Sequence, residues 1–287
     1  MLYTLNDILP QAKKEHVAIG HFNINGQLWL ESILKAAQKE NSPVIVATSD
    51  RMVDYLGGFQ TITDLVSNLI QFNQISIPVV LHLDHGQTVD RCLSAIDAGY
   101  SSVMFDGSHD AIEENIRKTK LVVDYAHKHG VSVEAEIGTV GGNEDGIIGG
   151  IQYADLAEAI QFVEETQVDA LAAALGSVHG PYQGEPQLGF AEMKEISEAV
   201  QIPLVLHGAS GIPLNQIERA IDLGHAKINV NTELNLAWRD AMKKSLCEFP
   251  TAYEPQLLQE ASQKAIEKTV RNKIRAFQNK KAEVGKV

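Results

Sequence analysis

Eight short runs rich in Val, Ile and Ala recur along this chain, each divided from the next by a longer amphipathic stretch. This rhythm restricts the fold more than any other feature of the sequence. The runs are residues 17–22, 44–48, 79–83, 102–105, 132–137, 170–175, 204–207 and 227–230. They are spaced by roughly 20–40 residues, as strand–helix units are. Nearly continuous apolar strands suit a parallel sheet covered on both faces. Between them, Leu30, Ile33, Leu34 and Ala37 fall at i, i+3, i+4, i+7, as do Leu156, Ala159, Ile160 and Val163. Each set makes one apolar stripe on a helix. Asp155 or Tyr153 begins the second helix, and Pro213 reads as a first-turn proline. The expected fold is α/β, a (β/α)8 TIM barrel, with a doubly wound open sheet as the alternative. A helix around residues 5–14 and a C-terminal helical extension around 257–278 are surplus, closing a barrel end or making a subunit contact. No linker or low-complexity block divides residues 1–287, so a single domain is expected.

In such a barrel the chemistry gathers where strands end. The polar residues there are Asn23 and Asn25; Ser49, Asp50 and Arg51; His82, Asp84, His85 and Gly86; Asp106 and His109; Glu134 and Glu136; His179 and Gly180; His207 and Gly208; and Asn229, Asn231 and Thr232. Three imidazoles at separate strand ends suggest Zn2+, which in catalytic sites takes three protein ligands and keeps a position open. His85, His179 and His207 are the candidate ligands. Strand alternation puts His82 and Asp84 on one face and His85 on the other, unless the strand is ending there. The glycine after each histidine, Gly86, Gly180 and Gly208, suits close backbone approach to a ligand. Asp84, beside a candidate ligand, is placed to move a proton on a substrate oxygen. Asp106 and Glu136 are either partners of the ligand imidazoles or an alternative metal position.

Residues 138–150 hold six glycines in thirteen positions, too many for a helix or strand interior. They read as a mobile lid carrying Glu144. The loop Gly208-Ala209-Ser210-Gly211 and the turn Asn229-Val230-Asn231-Thr232 each precede a helix. Backbone N–H groups at such helix starts hold phosphate without lysine.

Charge bears on this point. The chain carries 37 Asp+Glu against 24 Lys+Arg, a net −13 with a pI near 5.2. That argues against a general nucleic-acid binder. Eight of the basic and two of the acidic residues follow position 263, leaving 16 basic (24 less 8) and 35 acidic (37 less 2) in the body. An anionic substrate would find few side-chain cations there. No run approaches the ~20 apolar residues of a membrane span, and residues 1–10 lack the basic and apolar regions of a secretory signal. Two cysteines, Cys92 and Cys247, argue against a disulfide framework and suit a cytoplasmic protein.

From about Asn6 to Phe277 the chain resembles the class II, zinc-dependent fructose-bisphosphate and tagatose-bisphosphate aldolases. Residues 79–86 (VVLHLDHG) and 133–144 (VEAEIGTVGGNE) carry the resemblance, with 176–180 (GSVHG), 206–211 (LHGASG) and 229–232 (NVNT). The resemblance implies zinc on His85, His179 and His207. It implies that Asp84 moves the proton of the hydroxyl at the cleaved bond and that Glu144 exchanges a proton at the enediolate carbon. It further implies that Gly180, Gly208, Ser210, Asn229 and Thr232 bind a dihydroxyacetone phosphate half and that the chain forms a homodimer or homotetramer; whether Na+ or K+ joins the phosphate site is left open by the sequence. Asn231 stands where some members have Asp; it keeps hydrogen bonding but not the charge.

Residues 49–58, 22–26 and 106–109 look closest to the inositol-catabolism branch. Its members cleave 6-phospho-5-dehydro-2-deoxy-D-gluconate to dihydroxyacetone phosphate and malonate semialdehyde. Arg51 would bind the carboxylate of that aldehyde, with Asn23 and Ser49 beside it in the substrate site; the alternative is a surface arginine paired with Asp50 or Asp54. Fructose 1,6-bisphosphate and tagatose 1,6-bisphosphate are the other candidate substrates. A zinc hydrolase would also use three histidines, but leaves the Glu144 lid and phosphate loops unexplained. A non-catalytic sugar-phosphate barrel is the third reading.

Overall fold

A computed structural model describes residues 2–278 except 145, 146, 150, 151, 181, 183 and 185, and describes residues 143, 144 and 147–149 by their backbone alone. The strands are β1 (Ile19–Asn23), β2 (Val44–Ser49), β3 (Val79–Gly86), β4 (Ser102–Phe105), β5 (Ser132–Ile137), β6 (Gly141–Glu144), β7 (Ile147–Gly149), β8 (Ala170–Ala173), β9 (Val178–His179), β10 (Leu204–Leu206) and β11 (His225–Val230). Eight of them close a parallel barrel in the order β1-β11-β10-β8-β5-β4-β3-β2. Closure is made by β1 on β11, with His21 beside Asn229 and Phe22 beside Val230. An open doubly wound sheet is thereby excluded.

The fourth and fifth apolar runs are strands over their whole predicted length. The first begins two residues late, at Ile19. The N–H groups of Val17 and Ala18 are spent on the carbonyls of Ala12 and Phe277, so both residues belong to helix ends rather than to the sheet.

The bottom of the barrel is plugged. Ile19, Ile45, Val80, Ala170, Ala172, Val205 and Ala226 face inward and meet Leu5, Ile8, Leu9 and Ala12 of the helix Leu5–Lys14. Asp7 and Thr4 cap that helix, the Thr4 N–H donating to Asp7 Oδ2 at 2.7 Å, and Leu5 N–H reaches Ser132 Oγ at 2.9 Å. The N-terminal helix is thus the barrel's floor, and the polar ends of the strands face the opposite way.

Helices cover the outside. Leu30, Ile33, Leu34 and Ala37 are all fully buried on the helix Gln27–Glu40; burial of each large aliphatic contributes about 1.5–3 kcal/mol. The helix Leu156–Thr166 starts at Asp155, whose carboxylate accepts from the N–H groups of Ala157 and Glu158 at 2.8 and 3.2 Å. Its most buried residues are Ala159, Phe162 and Thr166, so the helix is rotated from the predicted stripe to let the large Phe162 ring in.

The C-terminal helices Thr232–Glu248 and Pro255–Phe277 pack on the first covering helix, with Trp29 and Trp238 ring centroids 5.2 Å apart. Arg271 and Arg275 both grip Glu40, at 2.7 and 2.8 Å, and Lys273 grips Glu233 at 2.7 Å. Part of the basic C-terminal segment therefore serves intramolecular ion pairs. Among the described residues no helix is long and apolar enough to cross a membrane.

Candidate active site

The end of β3 breaks the alternation expected of a strand. His82 and Leu83 pair with Ser102 and Val103, but Gly86 pairs with Phe105, so one extra residue is inserted in β3. His85 takes φ +51° at this bulge. A non-glycine residue held there costs on the order of 1–3 kcal/mol. The bulge brings both Asp84 and His85 to the rim, where simple alternation would have separated them. A Cβ on Gly86 would meet Cys92 Sγ at 2.6 Å and the Met104 carbonyl at 2.7 Å, and one on Gly208 would meet the Val178 carbonyl at 2.3 Å. At Gly86 the space is taken by neighbouring protein, whereas Gly208 packs against the Val178 carbonyl and still lines the cavity. Only Gly180 has open space at that point.

His85, His179 and His207 converge, with one nitrogen or more of each within 4.8 Å of the others. Carboxylates fix two of the rings. His85 Nδ1 lies 2.8 Å from Asp106 Oδ2, and Asp106 Oδ1 accepts from the Ser108 N–H and hydroxyl at 3.1 and 2.7 Å. His207 Nε2 lies 2.9 Å from Glu134 Oε1. Each carboxylate accepts, so the ring nitrogen beside it carries the hydrogen and the opposite nitrogen is bare. Those opposite atoms, His85 Nε2 and His207 Nδ1, face each other at 3.1 Å. Two facing nitrogens need a positive centre between them, a proton or a metal ion. Ligands at ~2.0–2.1 Å on a tetrahedral zinc stand about 3.3 Å apart, so the donor set fits zinc in type, and the His85–His207 pair fits it in spacing. Burial pushes His207 down to about 4, toward the neutral form that a metal ligand needs.

Beneath the imidazoles lies a buried polar network that the sequence reading did not foresee. Lys227 Nζ, on β11 and fully buried, lies 2.8 and 3.2 Å from the two oxygens of Glu134 and donates to Asn229 Oδ1 at 2.8 Å. That turns the Asn229 amide nitrogen toward Asp84 Oδ1, 3.5 Å away. Asn23 Nδ2 donates to the other Asp84 oxygen at 2.8 Å. His21 Nε2 stands 3.6 Å from Asp84 Oδ2, and His82 Nδ1 is 2.8 Å from Ser102 Oγ. Burial alone would raise the Asp84 carboxyl, but the imidazoles of His21 and His85 hold it well below the usual range. Glu136 goes the other way: burial, then the charge of Asp106, pushes it well up, and its Oε2 lies 3.6 Å from His207 Nδ1. A lysine inside an apolar barrel strand was the available signal for this network.

Asn23, Asp84, His85, His179, Gly180, Gly208, Ser210, Asn229, Asn231 and Thr232 line one cavity. Ala209 and Val230, also expected there, bury their side chains in the core and can contribute backbone only. The Gly211 N–H is taken by Glu233 Oε1 at 3.1 Å, which leaves the N–H groups of residues 208–210 and the start of the helix Thr232–Glu248 for an anion. Ser49 is buried in register with Asp84. Arg51 is exposed on the short helix Asp50–Tyr55, and among the described residues it has no hydrogen bond or ion pair. Asp50 and Asp54, its expected alternative partners, are bound instead by Arg91. The Glu144 side chain lies outside the described residues. Its strand β6 pairs with β9, Gly142 beside His179, so the predicted lid is joined to the segment bearing a candidate ligand. A Na+ or K+ ion beside the phosphate loops finds no support among the described residues.

The closed barrel, with three histidines, Asp84 and two helix-starting loops gathered at its rim, is that of a lyase, and the comparisons give its class as the aldolases. The model of the family described as fructose-bisphosphate aldolase class-II matches residues 3–282, and the chain belongs to that family. It is 61% identical over 274 residues to the 6-phospho-5-dehydro-2-deoxy-D-gluconate aldolase of Bacillus subtilis (strain 168), covering 96% of this chain and 94% of that protein. It is 50% identical over 277 residues to a fructose-bisphosphate aldolase of Geobacillus stearothermophilus, covering 96% of each. In structure it resembles the YdjI aldolase of Escherichia coli K12, with TM-score 0.84, 35% identity and coverage of 96% and 97%.

Proposed function

We propose that this class II aldolase cleaves 6-phospho-5-dehydro-2-deoxy-D-gluconate to dihydroxyacetone phosphate and malonate semialdehyde, with Zn2+ on His85, His179 and His207. One observation carries the reading: His85, His179 and Asp84 line the same cavity as the loops at Gly208, Ser210, Asn231 and Thr232. The choice of substrate is supported by the relatives of that name at 58–61% identity, above the 50% of the fructose-bisphosphate aldolase. The unpaired Arg51 at the rim supports it too, since a guanidinium binds a carboxylate through two parallel hydrogen bonds.

When bound, the ion supplies Lewis-acid stabilisation of charge developing on the ketose oxygens. The protein does the rest. Backbone N–H groups of residues 208–210 and the helix start at Thr232 hold the phosphate, and Arg51 holds the far carboxylate. Asp84, oriented by Asn23 and Asn229, takes the proton of the hydroxyl on the carbon that becomes the aldehyde. The carbon–carbon bond then breaks, its electron pair staying on the dihydroxyacetone phosphate fragment. Glu144 on the lid delivers a proton to the carbon of the dihydroxyacetone phosphate fragment that kept the electron pair. Asp106 and Glu134 hold the His85 and His207 rings in the required tautomers. In this reading the enzyme is cytoplasmic and works as a homodimer or homotetramer; exposed Leu246, Phe249 and Tyr253 near the C-terminal helices offer an apolar subunit contact.

A side-by-side cleavage assay tests the substrate. The expected order of kcat/KM places the keto-deoxygluconate phosphate above fructose 1,6-bisphosphate and tagatose 1,6-bisphosphate. A bisphosphate at the head of that order overturns the assignment.

A further inference from the structure

Arg91 reaches the β2 rim from a neighbouring helix and binds both acids of the helix that carries Arg51. It lies on the helix Val89–Asp97. Its Nε meets Asp50 Oδ1 at 2.5 Å, its Nη1 meets Asp54 Oδ1 at 3.0 Å, and its Nη2 donates to the Asp50 carbonyl at 3.0 Å. The guanidinium also sits 4.7 Å above the Phe59 ring, which rests edge-on against Tyr100. The second Asp50 oxygen accepts from the Gln87 N–H at 3.0 Å, so both oxygens of that carboxylate are committed.

These contacts hold the two acids that share a helix with Arg51. On the helix Asp50–Tyr55, Arg51 and Asp54 are i,i+3 neighbours, the spacing at which opposite charges pair. Asp54 is mostly exposed, at 75%, and free to swing toward Arg51 if nothing else held it. Arg91 holds it. The helix therefore carries two carboxylates and one guanidinium, and among the described residues the guanidinium is unpaired because a second arginine has taken both acids.

We propose that Arg91 is a specificity-positioning residue: by binding Asp50 and Asp54 it keeps Arg51 open for the carboxylate of the incoming aldehyde. The inference rests on the reading of Arg51 as the carboxylate-binding residue. It adds that Arg91, which need not touch substrate, sets the preference for a charged aldehyde over a neutral one. Without Arg91, Asp54 would neutralise Arg51 and compete with substrate.

The test is condensation of dihydroxyacetone phosphate with malonate semialdehyde or with propanal, a neutral aldehyde of similar size. Arg91→Met should raise KM for malonate semialdehyde about tenfold, the scale of one charge-assisted contact, and leave KM for propanal and kcat for both within about twofold. Adding Asp54→Asn to Arg91→Met should restore most of the loss, because the competing carboxylate is gone. Arg51→Met should show the same selective loss, and adding Arg91→Met to it should cost nothing more. Should Arg91→Met not fold, Arg91→Lys serves, keeping a cation on Asp50 and releasing Asp54, with a smaller loss of the same selectivity. If Arg51→Met is selective but the Arg91 variants affect both aldehydes equally or neither, the inference fails and the Arg51 reading stands. If Arg51→Met is not selective, the Arg51 reading itself falls and takes the inference with it.

Discussion

Replacing Lys227 by Met isolates the buried network beneath the site. The ammonium has no solvent contact, and neither has its partner: both Lys227 and Glu134 are 0% exposed. Lys227 contacts both Glu134 oxygens, at 2.8 and 3.2 Å, and Asn229 Oδ1 at 2.8 Å. Removing one member of a buried ion pair leaves an uncompensated charge and costs about 3–5 kcal/mol, a large part of the ~5–15 kcal/mol stability of a typical protein. The cost depends on pH in a defined sense. Burial would raise the Glu134 carboxyl, but Lys227, then His207, hold it below its ordinary value of 4.5. A depressed carboxyl contributes stability that is present above the unfolded value and lost as pH falls through the folded one. Lys227→Met should therefore lose most stability at pH 7–8 and progressively less below about pH 4.5. Glu134→Gln in the same chain should recover part of the loss. Urea unfolding followed by circular dichroism at pH 7.5 and pH 4 measures this. A loss under about 1 kcal/mol, or an equal loss at both pH values, would refute the argument that this pair is a buried, mutually compensating charge.

Two further outcomes follow from the geometry. Asp106→Ala removes the acceptor at His85 Nδ1 and should weaken zinc binding about 10–100-fold, read by competition with a chromophoric chelator; unchanged affinity would show that the 2.8 Å contact does not orient the ring. Gly142→Ala puts a Cβ 2.2 Å from the His179 carbonyl at φ +99°. It should separate β6 from β9, lowering both turnover and zinc affinity at least tenfold because a single displacement touches lid and ligand segment together, and loss of turnover with zinc affinity intact would argue that the two are not linked.

The barrel was legible because its strands are buried on both faces and so announce themselves as apolar runs. Ser102–Phe105 and Ser132–Ile137 were bounded correctly for that reason. The end of β3 was harder. Alternation applies only to a regular strand, and the extra residue before Gly86 changes which way His85 points without altering composition. The glycines after the histidines are visible in the sequence, but what fills their space depends on packing: at Gly86 it is the Cys92 side chain and the Met104 carbonyl, while Gly180 and Gly208 line the cavity. Lys227 was included in a predicted strand without a role, since its partner Glu134 lies 93 residues away. Arg91 lies on a helix with no motif, and its significance appears only where Asp50, Asp54 and Phe59 meet it. The sparse side-chain cations of the chain body are compatible with a phosphate held by backbone N–H groups, and they give the unpaired Arg51 its weight.

The most direct test of the whole account is metal dependence of bond cleavage by the purified chain. Dihydroxyacetone phosphate release from 6-phospho-5-dehydro-2-deoxy-D-gluconate is followed before chelation, after removal of metal, and on titration with Zn2+. Activity should vanish with the metal and return in proportion to zinc until one ion per chain is bound, and His207→Ala should neither bind that ion tightly nor turn over. Cleavage that persists in full in the metal-free protein, with His207→Ala as active as the parent, would contradict it.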